Sequence, residues 1–350
     1  MSPATNIPAR PQRVGTRPVR IVAVGGGTGL STLLRGLKEH VARRPLDRVR
    51  LPIADLAAVV TVTDDGGSSG RLRRAYDILP PGDIRNCLVA LSKDEALLSR
   101  LFQYRFPAGS GLRGHSFGNL FLAAMASVTG DFAEAVRFSG QVLAIRGRIF
   151  PSTTANVDLE AEMADGSVIR GETRIARSGR RIRRVRLVPR RPKPLPEVLE
   201  AIGAADLILV GPGSLYTSII PNLLVAGVAE AIARSRATRV YIANLMTQPG
   251  ETEGYTVADH VRAIYDHARR RLFDWVVVNR QSISPRLLRR YRAQGAEPVR
   301  ADLEPLQRLG VGVIADELVE EDGVVRHNIA RLTRLLLEEF ILHRRTRPSR

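Results

Sequence analysis

Cysteine is almost missing from this chain: Cys87 is the only one in 350 residues. A disulfide within the chain is therefore excluded, zinc-finger spacing cannot occur, and a reducing, cytoplasmic setting is expected. Lysine is nearly as scarce. Of 53 basic residues only Lys38, Lys93 and Lys193 are lysines; the others are arginines. Aromatic residues make up 5% and are not interleaved with basic ones, so the usual RNA-stacking pattern has no counterpart here. No apolar run approaches the ~18 residues of a membrane span. Residues 1–18 lack an apolar stretch of the secretory kind and are expected to form a flexible basic arm. Familiar catalytic motifs are also missing. There is no Gly-Lys-Ser/Thr of a P-loop, and Leu30 stands where a dinucleotide fingerprint needs its third glycine after Gly25 and Gly27. No His-Glu-x-x-His or His-x-His occurs, which removes the common metal-site spacings. No Gly-x-Ser-x-Gly elbow surrounds Ser116 or Ser214, so neither reads as a hydrolase nucleophile.

Glycine, by contrast, is placed with purpose. Three apolar runs each empty into a turn of Gly, Ser, Thr or Asp: Gly25-Gly26-Gly27-Thr28-Gly29, Asp64-Asp65-Gly66-Gly67-Ser68-Ser69-Gly70, and Gly211-Pro212-Gly213-Ser214. Parallel α/β sheets bind ligands at the carboxyl ends of their strands. Glycine lets the backbone approach a ligand, and free N–H groups at a helix start attract phosphate. Three such turns in one chain point to one composite site for a phosphorylated ligand. The formal net charge of +18 suits an acidic ligand, but many arginines fall on the solvent sides of expected helices. A solvated basic surface is the preferred reading of that charge. A nonspecific nucleic-acid binder, motivated by charge alone, is kept as an alternative.

Periodicity assigns the fold class. Strands are expected at residues 20–24, 57–63, 207–210, 240–243 and 275–278. Helices are expected at 30–41, 84–91, 96–104, 116–128, 132–139, 221–234, 257–271, 285–294 and 328–342. Strand–helix alternation means a Rossmann-like parallel sheet with crossover helices. Residues 155–190 break the pattern with period-two alternation around Asp165-Gly166, the signal of a small antiparallel β insertion. Its Arg180, Arg181, Arg183 and Arg184 suit a solvent-facing edge. The organisation expected is a basic arm at 1–18, one α/β domain at 19–343 and a basic tail at 344–350.

Several loops offer polar side chains. Thr28 sits in the first turn, where it could meet a phosphate or sugar hydroxyl. Asp64 and Asp65 end a strand and could hold Mg²⁺, read a hydroxyl or act as a base; the structural alternative is an Asx-type cap of their own turn. Asp83 reads as the N-cap of a helix whose first turn carries Arg85 and Asn86. His115 and Asn119 flank Ser116, itself an N-cap candidate. Asn244 and Thr247 follow another strand and extend the same sheet edge.

Taken in order, the segments around Gly25–Leu30, Thr61–Gly70, Pro81–Asn86, Gly114–Leu120, Gly211–Pro221 and Asn244–Gly254 resemble the YvcK, or gluconeogenesis factor, family of the CofD-like superfamily. The resemblance runs from about Arg20 to the final helix. It implies a cytoplasmic bacterial protein that binds UDP-sugars, notably UDP-N-acetylglucosamine, and acts in cell shape and peptidoglycan synthesis during gluconeogenic growth. Tyr291 and Arg326 match, by local spacing, a Tyr and an Arg that contact the sugar nucleotide in that branch. Ile329 stands near where some relatives carry a phosphorylatable threonine. The CofD branch itself joins a phospholactyl group to a deazaflavin precursor with Mg²⁺, which would give Asp64 and Asp65 nucleotide, flavin or metal roles. The chain therefore reads first as a ligand-binding regulator and second as a CofD-type transferase. Candidate partners are cell-wall synthesis proteins and further copies of the chain.

Overall fold

The computed structural model describes residues 18–42, 53–93, 95–107, 109 and 111–343. The expected tail at 344–350, and all of the expected arm except Pro18, lie outside the described residues. The strands in chain order are β1 (Val19–Gly25), β2 (Ile53–Val60), β3 (Arg148–Pro151), β4 (Asp158–Met163), β5 (Val168–Arg170), β6 (Ile182–Val188), β7 (Leu207–Val210), β8 (Thr238–Ile242), β9 (Trp275–Asn279), β10 (Gly312–Asp316), β11 (Val319–Glu321) and β12 (Val325–His327). Seven of them form a sheet in the order β10-β9-β8-β7-β1-β2-β3. Every neighbouring pair in it is parallel. Helices cover both faces, which is why the central strands carry no alternation. All four residues of β7 and the last five of β1 are buried.

The strand order sets the position of the site. From β1 the chain moves outward to β2 and β3; from β7 it moves the other way, to β8, β9 and β10. The loops after β1 and β7 therefore part company between two adjacent strands. That topological switch point opens a crevice at the carboxyl edge of the sheet.

The insertion at 155–190 folds as expected into an antiparallel sheet of order β5-β4-β6. Its first turn works because Gly166 takes a left-handed φ of 83° and Asp165 accepts hydrogen bonds from the Ser167 N–H (2.9 Å) and hydroxyl (2.6 Å). The exposed arginines hold the sheet by cross-strand pairs, such as Arg183 with Glu162 and Arg170 with Asp158. One edge N–H of β6, that of Val185, donates to His267 Nε2 at 3.0 Å. A helix residue thus closes an edge that would otherwise invite pairing.

Several expectations are corrected. The helix expected at 221–234 starts earlier, as a π-helical turn over Leu215–Ile219, and breaks into Ile220–Leu224 and Val228–Arg234 with a bend of 81°. Gly227 makes the break possible at a left-handed φ of 79°. Among the described residues no single helix is long and apolar enough to cross a membrane. The helix expected at 257–271 stops at Ala268, because Arg269 turns left-handed (φ 55°). The final helix changes from α (Ile329–Leu336) to π geometry (Leu337–Leu342). Asp83 is not an N-cap: the helix Gly82–Leu91 is entered from Pro81, without a side-chain cap. Ser116 is the N-cap expected of it, and it accepts from the Asn119 N–H at 3.3 Å.

Candidate functional site

The helix Gly27–Leu37 begins directly after β1 and points its N-terminus into the switch-point crevice. Gly26 supplies no side-chain cap, and the first turn contains no acidic residue. The positive end of this helix is therefore left for an anion. The loop after β7 lies against it so closely that a Cβ at Gly29 would stand 2.3 Å from the Pro212 carbonyl oxygen. Asn244, after β8, clamps that loop: its Oδ1 accepts from the Gly213 N–H at 3.2 Å and its Nδ2 donates to the Gly213 carbonyl at 2.9 Å. Both polar atoms are thereby used in positioning the backbone. Thr247 is held likewise, its hydroxyl accepting the Glu297 N–H at 2.8 Å.

A cavity of about 490 Å³ occupies this crevice, in the size range of small-molecule sites. Of the residues expected at the site, it brings together Gly26, Gly27, Thr28, Gly29, Gly213, Ser214, Asn244, Thr247, Tyr291 and Arg326. Tyr291 lies on the helix Pro285–Arg292, and Arg326 on the β11–β12 hairpin. The helix grips the hairpin at three points. The Ser284 N–H donates to Glu321 (2.7 Å), Arg290 donates to the Gly323 carbonyl (2.8 Å), and the Val325 N–H donates to Tyr291 Oη (3.0 Å). Tyr291 thus positions the strand that carries Arg326. A larger concavity, about 720 Å³, lies beside edge strand β3 but contains none of the glycine turns.

Gly25 and Gly211 sit behind the cavity. The Gly25 carbonyl accepts from the Thr61 N–H and from Asn222 Nδ2. Gly211 has a φ of 81°, and a Cβ there would stand 2.9 Å from the Ile242 carbonyl oxygen. Asp64, Asp65, Asn86, His115 and Asn119 do not line the cavity. They belong to an adjoining polar cluster behind the first turn. Asp64 accepts from the Gly66 N–H at 2.8 Å, the Asx-type alternative. Asp65 Oδ1 takes the Thr173 N–H (2.9 Å) and hydroxyl (2.6 Å), capping a short helix of the insertion, Glu172–Arg177. Arg85, almost fully buried, donates to Ser116 (2.7 Å), Asn119 (3.0 Å) and Asn86 (2.8 Å). His115 Nδ1 is 3.0 Å from the Ser68 hydroxyl. The single composite site expected from the sequence is therefore two adjacent assemblies. Asp83 joins them, accepting the Gly27 N–H.

Sequence reasoning missed the acids that matter electrostatically. Burial pushes the Asp83 carboxyl up to about 6, against the Gly27 N–H that lowers it, and Asp64 adds to the rise. Burial, then Asp64 and Asp83, raise Glu172 well above the usual carboxylate range. Burial lifts Glu251 to about 7, although it accepts from the Tyr216 N–H (3.3 Å) and the Thr217 hydroxyl (3.2 Å). Among the described residues no three His, Cys, Asp or Glu side chains converge as a metal's ligand set. The engaged oxygens of Asp64 and Asp65 explain why these two do not form one.

Glu251 carries a measurable consequence. Its native pKa lies above its unfolded one, so the native state holds the proton more tightly. The stability this contributes is full below about pH 4.5 and is lost as the pH rises through about 7. Glu251→Gln keeps an acceptor for Tyr216 and removes the ionisation. Its stability relative to wild type should improve by about 1–2 kcal/mol between pH 5 and pH 8. Urea unfolding at both pH values checks this, and a difference that does not change with pH would remove Glu251 from the account.

Two further lining residues, Gln248 and His327, gave no separate signal in the sequence. They are neighbours of Thr247 and Arg326, and only their position in the cavity marks them.

Comparison with known proteins agrees with this architecture. Residues 21–319 match the family model described as 2-phospho-L-lactate transferase CofD. The gluconeogenesis factor of Halalkalibacterium halodurans is 51% identical over 91% of this chain and 95% of its own length. That of Bacillus subtilis (strain 168) is 49% identical over 93% of this chain and 99% of its own. A crystal structure of a Bacillus halodurans protein superposes with a TM-score of 0.86 at 50% identity, covering 91% of this chain and 99% of that one. Matches of this extent, on a chain with the same doubly wound sheet, place it in a family: it belongs to the CofD family, in the branch of the bacterial gluconeogenesis factors.

Proposed function

We propose that this chain is a cytoplasmic, non-catalytic regulator that binds a UDP-sugar of the UDP-N-acetylglucosamine type and supports cell shape and wall synthesis during gluconeogenic growth. The observation that carries the reading is the cavity that places the uncapped helix N-terminus at Gly27–Gly29 opposite Arg326. A diphosphate is the ligand group that satisfies both, through backbone N–H groups on one side and a guanidinium on the other. The remaining length of the cavity takes a nucleoside and a sugar. Tyr291 serves by holding Val325 and hence Arg326 in place.

Calorimetric titration with UDP-N-acetylglucosamine, with and without Mg²⁺, is the direct test. Arg326→Ala should weaken binding by about ten- to a hundredfold, the loss of a charge-assisted contact to phosphate. Affinity equal to wild type would take Arg326 out of the site. For the cellular role, expression of this chain in a Bacillus subtilis strain lacking its gluconeogenesis factor should restore growth on gluconeogenic carbon. Failure of an expressed, folded chain to do so counts against that role.

The transferase reading has one feature in its favour, the proximity of Asp64, Asp83 and Glu172, whose mutual repulsion a divalent cation would relieve. Mg²⁺ uses one or two carboxylates together with substrate phosphates, so Asp64 is the residue to hold it. Product formed from a deazaflavin and an activated phospholactate would move the assignment to this reading.

A further inference from the structure

Two acceptors in the cavity wall have no donor among the described residues. His327 Nε2 and Gln248 Oε1 are both shut off from solvent and hydrogen-bond to no protein atom. Both residues line the cavity at the switch point. Their orientations are set by other bonds. Because Nε2 is without a partner, it is Nδ1–H of His327 that donates to the Ala243 carbonyl, which leaves the lone pair on Nε2. Gln248 Nε2 donates to Ser214 Oγ at 2.8 Å, and the Gln248 N–H donates to Thr252 Oγ1 at 2.9 Å. A buried acceptor left unmade costs free energy that a ligand donor would recover. Phosphate cannot be that ligand group, since it offers acceptors only.

The geometry points to His327 and Gln248 as the pair that selects the ligand by its hydrogen-bond donors, taking an imide N–H of a uracil-type base or a hydroxyl of the sugar. This rests on the nucleotide-sugar reading. It divides the work within the cavity: the helix N-terminus and Arg326 hold phosphate oxygens, while His327 and Gln248 read the neutral part of the ligand. A cytosine base, with an acceptor at N3 where uracil has an N–H, would leave the same orphaned atoms facing a lone pair.

The test is titration calorimetry of the full chain with UDP, CDP and UDP-N-acetylglucosamine at one salt concentration. The proteins are wild type, His327→Phe, Gln248→Met and Arg326→Ala, with thermal unfolding to verify that each is folded. Phe keeps the ring and Met keeps the length, so either variant carries the test if the other fails to fold. If the donor is the imide, wild type binds UDP about tenfold more tightly than CDP, and the His327 or Gln248 variant erases that ratio by weakening UDP alone. If the donor is a hydroxyl, UDP and CDP bind alike, UDP-N-acetylglucosamine binds about tenfold more tightly than UDP, and the variants erase that gain instead. Folded variants that bind all three ligands as wild type does, or that weaken all three equally, overturn the inference. Arg326→Ala weakening every ligand would then leave the nucleotide-sugar reading standing. Wild type that binds none of the three overturns both.

Discussion

Gly29→Ala should destabilise the protein by about 3 kcal/mol and abolish ligand binding at the switch point. The added methyl would stand 2.3 Å from the Pro212 carbonyl oxygen, 2.8 Å from its carbon and 3.2 Å from Gly213 Cα. All three are backbone atoms, so no side chain can swing aside. The loops after β1 and β7 would have to spread, and the helix N-terminus would move away from Gly213 and Ser214. Gly203→Ala is the control. It lies in the helix Pro196–Ala204, has no atom within 4 Å of its would-be Cβ, and should be neutral or stabilising by up to about 1 kcal/mol. Urea unfolding of the two variants measures the contrast. Equal midpoints would mean that the close approach of the two loops is not a constraint.

Arg239→Ala should cost about 3–5 kcal/mol, for a different reason. Arg239 on β8 and Asp274 before β9 form a buried pair, with side chains 9% and 5% exposed. Nη2 and Nε of the guanidinium reach the two carboxylate oxygens at 2.6 and 3.0 Å, and Nη1 donates to the Ala233 carbonyl at 3.0 Å. Removing the guanidinium leaves a buried carboxylate without its counter-charge, a far larger penalty than loss of an exposed pair. The double variant Arg239→Met, Asp274→Leu should recover most of that loss, because no ionised group is then buried. It will not recover all of it, since Asp274 also accepts the Arg239 backbone N–H at 3.0 Å. A double variant no more stable than Arg239→Ala alone would show that the pair contributes through something other than charge compensation.

Much of the fold is legible in the residues. The valine- and isoleucine-rich runs of β1, β7 and β9 are strands because branched side chains fit a sheet buried on both faces, and the structure puts each within a few residues of its expected place. The Asp165-Gly166 hairpin is legible for the same local reason: its turn is specified by the residues that form it. Other elements are not. β3 and β10 read weakly because they are short and lie at the sheet edges, where neighbouring strands rather than local pattern decide the pairing. The helix after Gly213 splits because Gly227 can turn left-handed, and a helical hydrophobic period alone does not register that freedom.

The site divides along the same line. That glycine turns would gather at the carboxyl edge of a parallel sheet is a consequence of local chemistry and chain alternation, and the sequence alone determined it. It also determined Ser116 as a cap and the absence of a P-loop, a dinucleotide fingerprint and a disulfide. Only the tertiary structure decided that Asp64 and Asp65 turn away from the cavity to hold the Gly66 and Thr173 backbone N–H groups, and that Asn244 spends both polar atoms on Gly213. The same holds for the orphaned acceptors of Gln248 and His327. Turn chemistry and periodicity act between residues a few positions apart. Whether a polar atom is satisfied or left for a ligand depends on partners tens of residues away, and folding alone brings those together.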